Sequence, residues 1–175
     1  IDAFWNIPNY PDTEGVYEAL FGKRPSIAPY VWDPTLVQKE SMAERPTLEF
    51  EAQGKPSAVQ YIIIAEPNVQ TTKCCMVPLL ICDCYHRSNP NVRVLVLSSP
   101  RNAPFETFLR SLDIHKQHKV ELYDRLKLMD VIRQLKKKRL SVLFVSHQTN
   151  NALNFLHLEV MSLGYPLIHN TKEYM

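Results

Sequence analysis

The sequence predicts a parallel α/β fold. From residue 59 onward, short β-branched runs alternate with stretches of helical periodicity, and each strand-like run ends in polar side chains. Strands that alternate with helices build a parallel sheet with helices on both faces, and ligands then bind beyond the carboxyl ends of the strands. At 175 residues, with 45% apolar and 22% charged side chains, the chain can form one sizeable core, or one domain plus part of another.

Taken in order, residues 3–7 read as a strand, 13–21 as a helix stopped by Gly22, and 27–32 as a second strand. Residues 33–58 carry Asp33-Pro34, Arg45-Pro46 and Gly54-Lys55-Pro56 among scattered charges, which is the composition of a linker or hinge. Within it, 47–50 reads as a short edge strand. The regular pattern then begins: strand 61–65, helix 70–87, strand 93–97, helix 104–112 with Pro104 in its first turn, strand 119–123, helix 127–138, strand 140–145, helix 151–164 and a last strand from 167. The division expected is the end of a first domain over 1–32, a linker over 33–58 and an α/β domain over 59–175. The opening residues show no basic-then-apolar leader and no closing helix follows the last strand, so a piece of a longer protein is expected, with Phe4, Trp5 and Trp32 on an exposed apolar face.

Composition narrows the function classes. A net charge of +2 gives no strong field for nucleic acid, and Lys136-Lys137-Lys138-Arg139 ends a helix, where cations suit the dipole. No run of about 18 apolar residues exists to span a membrane. The chain has 4 glycines and neither a Gly-x-Gly-x-x-Gly nor a phosphate-loop motif, which disfavours dinucleotide oxidoreductases and P-loop NTPases. Cys74, Cys75, Cys82 and Cys84 fall in one predicted helix, where disulfides fit poorly; buried reduced thiols and a cytoplasmic location are expected. No metal site is expected, because Cys82, Cys84 and His86 on a single helix make a poor tetrahedral set.

The residues just beyond the strands are the candidates for function. Glu66 and Asn68 follow the first strand of the α/β pattern, Ser98 and Ser99 the second, Asp124 and Arg125 the third, Ser146, His147 and Gln148 the fourth, and His169 and Asn170 the last. Residues 146–170 say most: a buried strand, then Thr149, Asn150 and Asn151 as helix caps, Leu153, Leu156, Val160 and Leu163 at helical spacing, Glu159 inside that apolar helix, and Gly164 as its stop. A carboxylate there is costly unless hydrogen-bonded, and a pair of ligand hydroxyls is one candidate partner. Asn151 and Glu159 lie eight residues apart, roughly 12 Å along a helix at ~1.5 Å per residue, and free N–H groups at a helix start favour phosphate.

This helix resembles the donor-site helix of GT-B glycosyltransferases, in which a Glu, seven residues and a second Glu precede a small-residue turn and a Pro-containing strand. Glu159 matches the second Glu, and Asn151 stands where the first would be. The resemblance extends to a bacterial and viral group of glycosyltransferase-like proteins through Ile62-Ile63-Ile64-Ala65-Glu66-Pro67-Asn68, Lys73, Pro78-Leu79-Leu80, Tyr85-His86-Arg87 and the 146–170 block, with Trp5-Asn6-Ile7-Pro8 and Pro29-Tyr30-Val31-Trp32-Asp33-Pro34 like the end of its first domain. It implies a Rossmann-like donor domain of a GT-B fold, preceded by the end of the acceptor-side domain, that transfers sugar from a nucleotide-sugar donor to an unknown acceptor without a metal or other cofactor. It also implies ribose on Glu159, and the diphosphate is expected near Lys73 and Arg125, which lie just beyond strands, and near the helix start at Asn150 and Asn151. Glu66, Asn68, His147, His169 and Asn170 complete the expected nucleotide-sugar site. No catalytic base is assigned. The alternative is a non-catalytic nucleotide- or sugar-binding module that keeps the fold, for which Asn151 in the first acid's place is the sign.

Overall fold

Isoleucine at three consecutive positions suits a strand covered on both faces, and β3 (Tyr61–Ile64) is that strand, with Ile62, Ile63 and Ile64 buried. In the computed structural model, which describes residues 5–6, 14–29, 31–43, 48–50, 59–149, 151 and 154–171, β3 is the centre of a five-stranded parallel sheet. Its neighbours are β4 (Arg93–Val96), β5 (Val120–Leu122), β6 (Val142–Val145) and β7 (Leu167–Ile168), in the order β5-β4-β3-β6-β7. Register aligns Ile62 with Val94 and with Leu143. Counted from β3, the order is 3-2-1-4-5, so the chain reverses direction across the sheet between β3 and β6. The protein is thus α/β and Rossmann-like.

Helices cover both faces. On one side Ile62 and Ile64 pack with Leu79 and Cys82 of α3 (Met76–Ser88), Phe105 and Leu109 of α4 (Ala103–Ser111) and Ile114 of α5 (Asp113–Lys116). On the other, Ile63 and Phe144 pack with Ile132 and Leu135 of α6 (Leu128–Lys137) and Val160 of α7 (Phe155–Ser162). Burying each such side chain contributes about 1.5–3 kcal/mol. Asp83 of α3 is buried and accepts the Ile114 N–H at 2.8 Å, capping α5 from a different helix. Among the described residues no helix is long and apolar enough to cross a membrane.

The early segment holds β1 (Trp5–Asn6), α1 (Glu14–Phe21) and β2 (Ser26–Ile27), with β1 and β2 parallel. Gly22 adopts φ 65° and its N–H returns to the Glu18 carbonyl at 2.8 Å, the helix stop expected of it. Trp5 and Val31 are exposed, but Trp32 packs against the core, so the exposed face expected of it is corrected; Phe4 lies outside the described residues.

The interval read as irregular linker is corrected over part of its length. It contains α2 (Pro34–Met42), begun by Asp33, whose side chain accepts the Thr35 N–H at 2.8 Å, with Pro34 as the first helical residue. Val37 of α2 and Leu48 join the core on the α6–α7 side, and α2 packs against α7. Residues 48–50 form no strand; instead the Phe50 N–H bonds the Leu163 carbonyl at 2.7 Å. The rest of that interval, 44–47 and 51–58, is outside the described residues.

Candidate functional site

The carboxyl ends of β3 and β6 flank the point where the strand order reverses, and the loops that follow them are joined. Lys73 pairs with Gln148 in an antiparallel bridge, and the Thr149 N–H donates to the Thr72 carbonyl at 2.9 Å. This pairing overturns the expected start of the second-domain helix: residues 70–75 are loop, α3 begins at Met76, and Cys74 and Cys75 precede it. Lys73 therefore sits beside the β6 loop rather than on a helical turn.

Beneath the joined loops lies a buried polar network. Glu66, the second residue after β3, is fully buried; Ser146 Oγ donates to one carboxylate oxygen and Gln148 Nε2 to the other at 3.2 Å. Ser146 Oγ also lies 2.7 Å from Nε2 of His157, a wholly buried residue of α7 whose ring centroid is 5.4 Å from that of His169. Gln148 accepts a bond from Asn151 Nδ2 through its amide oxygen. Its backbone exchanges two bonds with the Asn170 amide, at 2.9 and 2.7 Å. Four segments, ending β3, β6 and β7 and opening α7, thus meet in one cluster.

Asn68 ties β4 to the same rim. It holds the left-handed conformation at φ 54°, donates from Nδ2 to the carbonyls of Glu66 (2.8 Å) and Ser98 (2.9 Å), and accepts the Cys75 N–H at 2.6 Å. Ser98 is left-handed too, at φ 59°.

Burial sets the protonation of this network. It pushes the Glu66 carboxyl above the usual range; bonds from Ser146 and Gln148, the Lys73 charge and the His147 backbone N–H oppose that rise without cancelling it. Burial, then the neighbouring His169 and Lys73, hold His157 down at about 4. Lys73 itself is half-buried and makes no ion pair among the described residues.

The expected site residues divide. Glu66, Asn68, Lys73, Asn151, His169 and Asn170 come together in or around the network, and half-buried His147 sits in the β6 loop between Ser146 and Gln148. Arg125 does not join them. It is exposed after β5, two strands from β3, which is about 10 Å at ~4.8 Å per strand. Its neighbour Asp124 pairs with Arg101 at 2.6 Å. Asn150 lies outside the described residues, as does Leu153 of the predicted core stripe. The helix expected from 151 begins at Phe155, capped by the Asn154 side chain, which accepts the Leu156 N–H at 3.1 Å; it ends before Gly164 at φ 76°. The 12 Å helical ruler from Asn151 to Glu159 is corrected accordingly. Glu159 is half-buried, roughly 6 Å along α7 from its first residue at ~1.5 Å per residue.

Ser146 and Gln148, candidates after the fourth strand but not among the expected nucleotide-sugar ligands, are structural members of the site, and so is His157. Ser146 and Gln148 flank His147 directly after a strand, and that position was their signal. His157 had none, because an apolar helix hides its histidine. A separate crevice of about 150 Å³ lies beside α6, lined by Leu95, Leu97, Tyr123 and Leu135, away from this network.

These features define a class: a Rossmann-like α/β protein with a buried acid–hydroxyl–imidazole chain at the switch point of its sheet and, beside it, a lysine that makes no ion pair among the described residues. The chain belongs to the family described as a protein of unknown function (DUF2827), whose model matches residues 1–174. No curated protein matches it.

Proposed function

We propose that the chain binds a nucleoside diphosphate sugar at the carboxyl ends of β3 and β6, as the donor-binding part of a glycosyltransferase. The observation that carries the reading is Lys73: a half-buried cation, without an ion pair among the described residues, placed at the point of the sheet where ligands of such folds collect. A phosphate oxygen is a natural partner for it. Half-buried His147, Asn151 and His169 surround that place with groups able to bond sugar hydroxyls or phosphate. The sugar-nucleotide identity comes from the GT-B resemblance of the 146–170 block. In that reading Glu159 holds the ribose, and Arg125, displaced towards β5, meets a more distant part of the ligand than the phosphates beside Lys73.

A second reading is supported by Asn151, which cannot carry the charge of the acid usual at its position: a binding module without turnover. A melting screen across nucleotide sugars separates the possibilities. A ligand at about 100 times its Kd adds roughly 2.7 kcal/mol of stability. Among hits, Glu159→Ala should weaken binding by about 1.5–3 kcal/mol, some ten- to hundredfold. Unchanged affinity in a folded Glu159→Ala protein removes the ribose role. Binding without donor turnover, tested against a range of acceptors, favours the module.

A further inference from the structure

We propose that anion binding beside Lys73 is coupled to uptake of one proton by the buried Glu66, delivered through Ser146 from His157. The inference rests on the phosphate-binding reading of Lys73 and adds the regulation of that site.

Proton counting along the chain is restrictive. Ser146 has one hydroxyl hydrogen and stands between Glu66 and His157 Nε2, 2.7 Å away. With Glu66 ionised, the hydroxyl donates to the carboxylate, so neutral His157 must carry its hydrogen on Nε2 and donate to Ser146 Oγ. With Glu66 protonated, the acid donates to Ser146 Oγ, the hydroxyl turns to Nε2, and the imidazole hydrogen sits on Nδ1. The two states interconvert by a balanced relay. A proton arrives at Nδ1, the Nε2 hydrogen passes to Ser146, and the Ser146 hydrogen passes to Glu66. One proton is gained, every hydrogen bond is kept, and Glu66, which has no exposed surface, never needs to meet water.

The charges around the chain make an anion its trigger. Lys73, from the β3–α3 loop, is the cation that acts on both Glu66 and His157. Among the described residues, the other titratable groups nearby are His147 on the β6 loop, His169 after β7, and the Cys75 thiol before α3. An anion on Lys73 offsets the charge that favours ionised Glu66 and adds a negative charge of its own. Both effects draw a proton into the network, and the half-buried His169 ring beside His157 marks the side from which it enters.

The test is titration calorimetry of pyrophosphate into the chain, in buffers of different ionisation enthalpy at neutral pH, for the wild type and Glu66→Gln. The probe's own protonation change is common to both proteins and cancels in the difference. The coupling predicts that the wild type takes up more protons than Glu66→Gln, by up to one per site. Equal uptake overturns it while leaving the phosphate site standing, because His147 and His169 remain in the variant. Failure of folded wild-type chain to bind pyrophosphate overturns both. If Glu66→Gln does not fold, nitrogen NMR of wild-type His157 decides: pyrophosphate should move its hydrogen from Nε2 to Nδ1, and an unchanged tautomer overturns the relay.

Discussion

Asn68 offers the sharpest test of how the site rim is built. Its side chain makes three hydrogen bonds, two as donor to the Glu66 and Ser98 carbonyls and one as acceptor from the Cys75 N–H, at 2.6–2.9 Å. Each contributes about 1 kcal/mol net, so their joint loss costs about 3 kcal/mol. The residue is also left-handed, at φ 54°. Alanine there carries a further penalty of about 1 kcal/mol that glycine escapes. Asn68→Ala should therefore lose about 4 kcal/mol and Asn68→Gly about 3. Asn68→Asp keeps the acceptor for Cys75 but sets a carboxylate against two carbonyls, so it should not recover wild-type stability. For a chain of this length, each kcal/mol moves Tm by roughly 2–4 °C. Urea unfolding followed by circular dichroism, with thermal melts beside it, gives the order wild type, Gly, Ala. If Asn68→Ala stays within about 1 kcal/mol of wild type, or if Gly proves less stable than Ala, the side chain does not pin the rim in this way.

The buried pair should leave opposite marks on the pH dependence of stability. His157, held at about 4 in the fold against an ordinary 6.5, contributes stability that is full above 6.5 and lost as pH falls through about 4. The span corresponds to about 3 kcal/mol. His157→Gln should flatten the urea midpoint between pH 6.5 and 4. Glu66 is raised from 4.5, so its contribution is present below 4.5 and lost as pH rises through its folded value; Glu66→Gln should steepen the same limb. Because the two marks oppose each other in the wild type, the variants decide: slopes unchanged from wild type in both His157→Gln and Glu66→Gln would contradict both. For the thiols, burial pushes Cys75 and Cys82 up to about 12, while Cys84 is exposed. A disulfide reagent at neutral pH should modify Cys84 first and reach Cys75 and Cys82 only in urea. Equal rates at Cys82 and Cys84 would show that α3 opens freely.

The sheet was legible because its signals are local. Three consecutive isoleucines, the β-branched runs at 93–97 and 140–145, and Gly164 each act within a few residues. What the sequence hid depends on contacts between distant segments. Asp33-Pro34 reads equally as a turn or as an N-cap followed by the first helical residue, and of the described side chains of α2 only Val37 and Ser41 are buried. Residues 70–75 have the polarity of a first helical turn, but the pairing of Lys73 with Gln148 holds them out of the helix. Asn151 and Asn154 are equally good caps on paper. In the fold the Asn151 amide bonds Gln148, and Asn154 starts α7. The acid at Glu66 was visible as the residue after a strand. Its burial under Ser146 and Gln148 was not, because it follows from two loops meeting across about 80 residues of chain.

The distribution of conformational cost sets the rim of β3, β4 and β6 apart from the rest of the described residues. Among the described residues, four that are not glycine adopt positive φ: Asn68, Ser98, His118 and Arg139. Two of these end helices. His118 follows α5 and Arg139 follows α6, each returning an N–H to the preceding turn at 2.9 Å, which is the ordinary place for a left-handed residue. Asn68 and Ser98 instead follow strands, where no helix stop calls for that geometry. A buried acid–hydroxyl–imidazole chain lies on the same rim, although packing alone would be served as well by an apolar residue at position 66. Strain and buried charge that coincide in space, at the end of the sheet where such folds bind ligands, are what a site under functional demand displays. At the opposite ends of the same strands the left-handed residue, Arg139, is the stop of α6, and β3, β4 and β6 are joined by backbone bonds, Gln60 and Tyr61 to Ser141 and Arg93 to Gln60 at 2.9–3.1 Å, with the Ser141 N–H also on the Gln60 side chain.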